Sequence, residues 1–322
     1  MAARAVASRP ARRDIDGILL LNKPVGISSN QALQRAKYLF QARKAGHTGN
    51  LDVLASGLLP VCFGEATKVC QFLLDADKHY VSAFTFGAQT ATGDAEGEVI
   101  REASTAGLDA ARIRAAMAGF SGWLDQMPPM HSALKRNGQP LYKLARQGLE
   151  VEREKRRIRL DRFALLEFDL PTANVDIVCS KGTYVRSLAE DLGAVLGCGA
   201  YVSALRRDGA GPFRIDQAHT LDYLESQAAQ GMSALDTLLL SADRALEHLP
   251  RAVLAEDAVV RFELGQTVRA DALPGAGQLR LYDAVERFIG VGEVLDDGWI
   301  APRRLFRAQA PESQRESLPV DA

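Results

Sequence analysis

One acid stands apart in the stretch "GHTGNLDVLASGLLPVCFGEATK", which runs from Gly46 to Lys68. Asp52 lies in a Gly-rich turn, carries the first formal charge of the stretch and precedes an apolar run. A carboxylate beside apolar surface is driven towards its neutral form by desolvation, unless a cation lies close enough to keep it ionised. Kept ionised, it can serve as a nucleophile or a general base. Asp52 on its own is a turn or helix cap; read as chemistry, it needs an Arg. The best partner is Arg186 in "KGTYVRSLAEDLG", where Gly182 and Thr183 are expected to begin a helix. The plain alternative is that Arg186 is a solvated helix residue paired with Glu190 at i+4. Spacing leaves both open.

Other residues could complete such a site. Tyr80 in a strand and Tyr184 in a first helical turn are core-edge residues, or rings that stack on a planar base while a hydroxyl handles a proton. His47 is either a locally bonded loop imidazole or a flat plug for the gap left by an extruded base. Lys23 in "NKPVG" is a weak signal by itself. Between residues 133 and 162, ten cations, among them Lys135, Arg136, Lys143 and Arg146, stand against Glu150, Glu152, Glu154 and Asp161. Such clustering around Tyr142 fits either a solvated face or contact with a phosphate backbone.

These residues need elements to hold them. "IDGILLLNKPVG" reads as a buried strand entering a turn, and "SSNQALQRAKYLF" as an amphipathic helix capped by Ser28 or Ser29. A strand over Leu58–Phe63, a helix from about Glu65 and the alternating strand "KHYVSAFTFG" follow. "TATGDAEGEV" reads as a surface loop, and the stretch from Leu108 to Met117 as a helix. Residues 126–157 hold two adjacent prolines, an Asn-Gly turn and many cations, which suits a long mobile excursion. Two strands, "RIRLDRFALLEFDL" and "ANVDIVCS", then a helix with Val185, Leu188, Leu192, Val195 and Leu196 at helical spacing, and the strand "AYVSALRRDGAGPF" complete a first domain, residues 15–248. A boundary is expected near Leu249-Pro250. Beyond it "LGQTVRA", "QLRLYDA", "RFIGVGEVL" and "GWIAPRRLF" suggest a small β-barrel over residues 249–308. Residues 1–14 read as a disordered basic leader rather than a transit peptide, and residues 309–322 as a disordered tail.

The totals set bounds. The 322 residues carry a net charge of −1, against a protein that coats nucleic acid through bulk charge. No apolar run approaches the roughly 20 residues that span a membrane. The four cysteines form no CxxC pair and the five histidines no HxxxH spacing, so no metal site or disulfide framework is expected, and the pattern suits the cytoplasm.

Five blocks in order carry a resemblance: "LLNKPVGISSNQALQRAK", "GHTGNLDVLASGLLPVCFGEATK", "DKHYVSAFTFGAQTATGDAEGEV", "PPMHSALKRNGQPLYKLARQG" and "SKGTYVRSLAEDLG". They resemble the TruB family, bacterial tRNA pseudouridine-55 synthases, and the C-terminal residues resemble its PUA-type RNA-binding domain. The resemblance implies an α+β fold: a mixed, mainly antiparallel sheet with flanking helices, plus a small PUA-like β-barrel. It implies an isomerase that flips a uridine out of the T-loop of tRNA, with no cofactor, acting as a monomer. It implies that Asp52 is the catalytic aspartate, that Arg186 pairs with it, and that Tyr80 stacks on the uracil and is suspected of proton transfer at C5. Tyr184 would pack near the flipped nucleotide, Leu205 would line the pocket, Lys23 would brace its wall, and His47 would fill the gap. Residues 126–157 would form a thumb-like insertion closing on the T-loop. Asn50, Val53, Ser56 and His131 depart from the family's usual Thr or Ala, Pro, Thr, and Tyr or Phe. Val53 is the departure of most interest, because losing Pro loosens the loop that aims Asp52.

Overall fold

The computed structural model describes residues 12–132, 134–136, 138–270 and 272–306. The expected tail, and the expected leader up to residue 11, lie outside them. Arg13 belongs to the fold: its backbone bonds to Gln41 and Arg43, and its Nη1 donates to Asp236 Oδ2 at 2.7 Å.

The apolar run near the N-terminus forms strand β1 (Gly17–Lys23), paired antiparallel with β2 (Ser56–Phe63). Across the sheet follow β7 (Ala200–Ala210), β3 (Lys78–Phe86), β6 (Thr172–Cys179), β5 (Arg156–Asp169) and, at the edge, β4 (Gly122–Gln126). Every pairing along this path is antiparallel except β2 with β7, and residues 219–220 run parallel to the outer side of β1. The sheet is therefore mixed and mainly antiparallel.

The middles of β1 and β2 are apolar on both faces because both faces are covered. Leu19, Leu21, Leu59, Val61 and Phe63 point into one core, shared with helix α1 (Ser29–Leu39) and helix α2 (Val185–Leu196). Ile18, Leu20, Leu58 and Cys62 point into a second core on the other face. Ser28 caps α1, and Gln31 completes a capping box. Buried Ala32, Leu33 and Ala36 give the helix its inward stripe. α2 lies close against β7 because its Gly193 has no side chain: a Cβ there would stand 2.2 Å from Ala200 N.

The C-terminal residues depart from the expected barrel. They form an open four-stranded sheet in the order 251–253, β8 (Gly277–Tyr282), β9 (Phe288–Val294) and β10 (Ile300–Leu305). "LGQTVRA" contributes only a bridge from Val268 to Ile300. Before it, Glu256–Glu263 is a helix, whose buried Ala258, Val259 and Phe262 sit at helical spacing. This sheet shares the second core with the first domain through Val291 and Phe306. Lys68 Nζ donates to Leu305 O at 2.7 Å and Tyr282 Oη to Asp243 Oδ2 at 2.7 Å, tying the two units together. Among the described residues no helix is long and apolar enough to cross a membrane.

Two further expectations need correction. "TATGDAEGEV" is not simply a surface loop: strands 88–90 and 99–102 pair across it, and Thr90 and Asp94 are buried. α2 starts at Val185 with Tyr184 as its cap, rather than at Gly182. Residues 127–155 hold paired strands at Lys135–Arg136 and Gln139–Pro140, followed by a helix at Leu141–Arg146 whose first residue is buried.

Candidate active site

The loop that carries Asp52 is held from several sides. Gly26 N–H donates to Val53 O at 2.9 Å, which ties the "KPVG" turn to the loop. Ser29 at the head of α1 accepts from Leu51 N–H at 2.7 Å and donates to Leu51 O at 3.1 Å. Ala55 N–H closes a turn onto Asp52 O at 3.1 Å. Arg207 reaches in from β7, with Nε on Leu58 O at 2.7 Å. That approach requires Gly57, whose φ is +105° and where a Cβ would lie 2.4 Å from Arg207 O. The loop is thus fixed by partners on both sides of Val53.

So held, Asp52 meets Arg186 as expected: Nε lies 3.1 Å from Asp52 Oδ2. The same guanidinium donates from Nη1 to Thr92 O at 3.0 Å and from Nη2 to His131 O at 2.8 Å, and Nη1 stands 3.5 Å from Asp94 Oδ2. The alternative pairing with Glu190 is not formed. Arg186 is buried, and Asp52 has a 43 % exposed side chain. That exposure opens into a cavity of about 930 Å³, which Asp52, Tyr80, Tyr184, Arg186 and Leu205 all line. Burial raises the Asp52 pKa above the usual carboxylate value, with Asp94 adding to the rise and Arg186 and Lys23 opposing it.

Tyr80 and Tyr184 bring phenol rings to the cavity, and burial raises the pKa of both. Tyr184 is fixed through its backbone, its N–H on Gln126 Oε1 at 2.8 Å and its carbonyl on Gln126 Nε2 at 3.0 Å. The end of β4 therefore sets the head of α2, and with it Arg186.

The remaining expected residues divide. Lys23 is fully buried behind the wall, donating to Pro24 O at 2.9 Å and Ile27 O at 2.7 Å, and burial pushes its pKa down to about 8. His47 pairs with Val61 on β2, outside the cavity lining, with Nδ1 buried and unpartnered among the described residues; burial lowers the pKa of its imidazole. Of the four cations singled out, only Arg146 lines the cavity, close to Tyr142. Lys135, Arg136 and Lys143 are exposed on the segment beside it.

Sequence reasoning missed Asp94, Gln126 and Arg207. Asp94 did not stand out, because Glu96 and Glu98 follow it in the same turn-rich stretch. Arg207 is two residues from Leu205, on the same side of a strand, where a cation on an inward position was the available signal. Gln126 gave no signal, because its partners are backbone atoms of a residue 58 positions away.

Known proteins match the sequence along the chain. Residues 37–185 match the N-terminal domain of TruB family pseudouridylate synthase, 186–247 the C-terminal domain of tRNA pseudouridylate synthase B, and 250–306 the C-terminal region of pseudouridine synthase II TruB. A tRNA pseudouridine synthase B of Pseudomonas aeruginosa strain UCBPP-PA14 is 55% identical over 299 residues, covering 92% of this chain and 98% of its own. The protein of the same name from Pseudomonas putida strain F1 is 52% identical over 299 residues, with the same coverage. Among solved structures, a chain of the archaeal box H/ACA sRNP Nop10-Cbf5 complex shares the fold, with a TM-score of 0.68 at 24% identity over 90% of this chain and 86% of that one. With relatives this similar over nearly its whole length, and all three of its segments matched, the chain belongs to the TruB family of pseudouridylate synthases.

Proposed function

We propose that this chain converts uridine-55 in the T-loop of tRNA to pseudouridine, acting as a free-standing monomer in the cytoplasm. The observation that carries the reading is the Asp52 carboxylate, 3.1 Å from Arg186 Nε, at a cavity lined by two tyrosines. The names of the relatives support tRNA as the substrate.

The target uridine leaves its stack, at a cost of a few kcal/mol, and Tyr80 offsets part of that by stacking. Asp52, kept anionic by Arg186, either attacks C1′ or removes a ribose proton, and the N1–C1′ bond breaks. The cavity retains the uracil while it turns, C5 bonds to C1′ as the Asp52 oxygen leaves C1′ (or Asp52 returns the ribose proton), C5 loses its proton and N1 gains one. The exchange is balanced and redox-neutral, so the reaction needs no external oxidant or reductant. Tyr80 is suited to the C5 proton, Tyr184 and Leu205 to packing the nucleotide, and Lys23 to bracing the wall. The flat imidazole of His47 suits the gap in the RNA stack. Arg146 at the cavity, with Lys135, Arg136 and Lys143 beside it, suits the T-stem phosphates.

The test is tritium release from a tRNA labelled at uridine C5, with the product mapped in the T-loop. Asp52→Asn is expected to lose roughly 10³-fold or more in rate while binding tRNA within about threefold of the parent. Normal turnover in that variant removes Asp52 from the chemistry. Free uracil and an abasic site from the parent enzyme make it a nucleosidase instead.

A further inference from the structure

Arg207 stands directly opposite Tyr80 in the register of β7 with β3. Directly opposed residues leave an antiparallel pair on the same face, and both line the cavity. Arg207 is 1% exposed. Its Nε is committed to Leu58 O at 2.7 Å and its Nη1 reaches Asn50 O at 3.4 Å. Nη2 is buried, with no hydrogen-bond partner among the described residues. Because the guanidinium is a rigid planar fork, two bonds to backbone fix where the third nitrogen points. A buried cationic donor left without an acceptor is costly, and an aliphatic side chain would fill this space without that cost. The charge therefore calls for a use.

The group across the ladder supplies one. Three elements bring charged or titratable groups to the Tyr80 phenol: β7 brings Arg207, β6 brings Cys179, and the catalytic loop brings Asp52. Cys179 and Asp52 disfavour a phenolate, and Arg207 favours it.

We propose that Arg207 is the positioning residue for Tyr80, its free Nη2 being the donor that takes up the phenol oxygen when that oxygen becomes charged during proton transfer at C5. The inference rests on the pseudouridine synthase reading above. After the C5–C1′ bond forms, C5 still carries its proton. Tyr80 gives its phenol proton to water, the resulting phenolate takes the proton from C5, and the C5–H pair restores the C5–C6 double bond. The C6–N1 π pair moves to N1, which takes a proton from water. Arg207 touches no substrate atom in this sequence; it acts through Tyr80.

A double-mutant cycle tests it, with Arg207→Lys, Tyr80→Phe and both together, read as single-turnover tritium release. Arg207→Lys keeps the charge but not the fork. It is expected to slow release roughly 10-fold or more in the parent, and by less than about twofold when Tyr80 is already Phe. Equal losses in both backgrounds overturn the proposal and assign Arg207 to holding Asn50 and Leu58. A second readout is independent of turnover: 3-fluorotyrosine placed at residue 80 and titrated by ¹⁹F NMR. Its midpoint is expected to move up in Arg207→Gln, and an unmoved midpoint overturns the proposal. An active parent with an additive cycle sinks only the role of Arg207, whereas a parent that makes no pseudouridine sinks the functional reading first.

Discussion

Asp52 carries opposing demands at the scale of one residue. The chemistry needs it ionised, and burial favours its neutral form. The folded state therefore binds the Asp52 proton more tightly than the unfolded chain does. Between the ordinary carboxylate pKa and the raised one, the folded state holds more protons, so the stability contributed by this site falls as pH rises and is flat above that window. Asp52→Asn has no proton to lose. It is expected to gain stability relative to the parent as pH rises through the window and to keep that gain at neutral pH, even though it is inactive. Urea unfolding of both proteins from pH 4 to pH 8 measures this, and a constant difference across the range removes the burial argument. Asp52 was legible in the sequence because an acid among uncharged turn residues stands out, whereas spacing left its pairing with Arg186 open and only the family resemblance implied it. Asp94, 3.5 Å from the same guanidinium, was not legible, because an acid in a turn-rich stretch with Glu96 and Glu98 close behind looks the same whether it faces solvent or a buried arginine.

At the scale of elements, the site is a joint between β4 and the head of α2. Gln126 makes both of its bonds to the backbone of Tyr184, and Ser187 Oγ donates to Met127 O at 2.9 Å one turn further on. Gln126→Ala is expected to cost about 1–3 kcal/mol of stability. It is also expected to lower kcat by roughly 10-fold while KM changes little, because a misplaced Arg186 affects the transition state more than binding. A loss confined to KM would detach this joint from the chemistry. Several strands and helices were readable from periodicity: β1, β3, β5 and β6 alternate or run apolar as buried strands do, whereas β4 and the helices at 141–146, 221–230 and 232–236 were not read. Glu256–Glu263 was passed over as strand-like, although Ala258, Val259 and Phe262 follow a helical stripe. Short apolar clusters fit both periods, and only packing decides between them.

At the scale of the whole molecule, a near-neutral chain must gather its positive charge locally to hold a polyanion. Replacing Lys135, Arg136 and Lys143 together by Ala is expected to reduce the slope of log affinity against log salt by about 2–3, leaving the single-turnover rate at saturating tRNA largely unchanged. An unchanged slope means that the segment does not meet phosphate. The change in texture near Leu249-Pro250 suggests a two-unit layout. The core shared through Val291 and Phe306 was not legible, since outward and inward apolar residues of a doubly covered strand read alike. The pinned loop has a consequence for the RNA. A carboxylate anchored through Asn50, Leu51 and Val53 cannot travel to meet its target, so the nucleotide has to make the whole journey. Uridines that are already loosely stacked, at bends and in loops, start closer to the end of that journey than those locked in a helix.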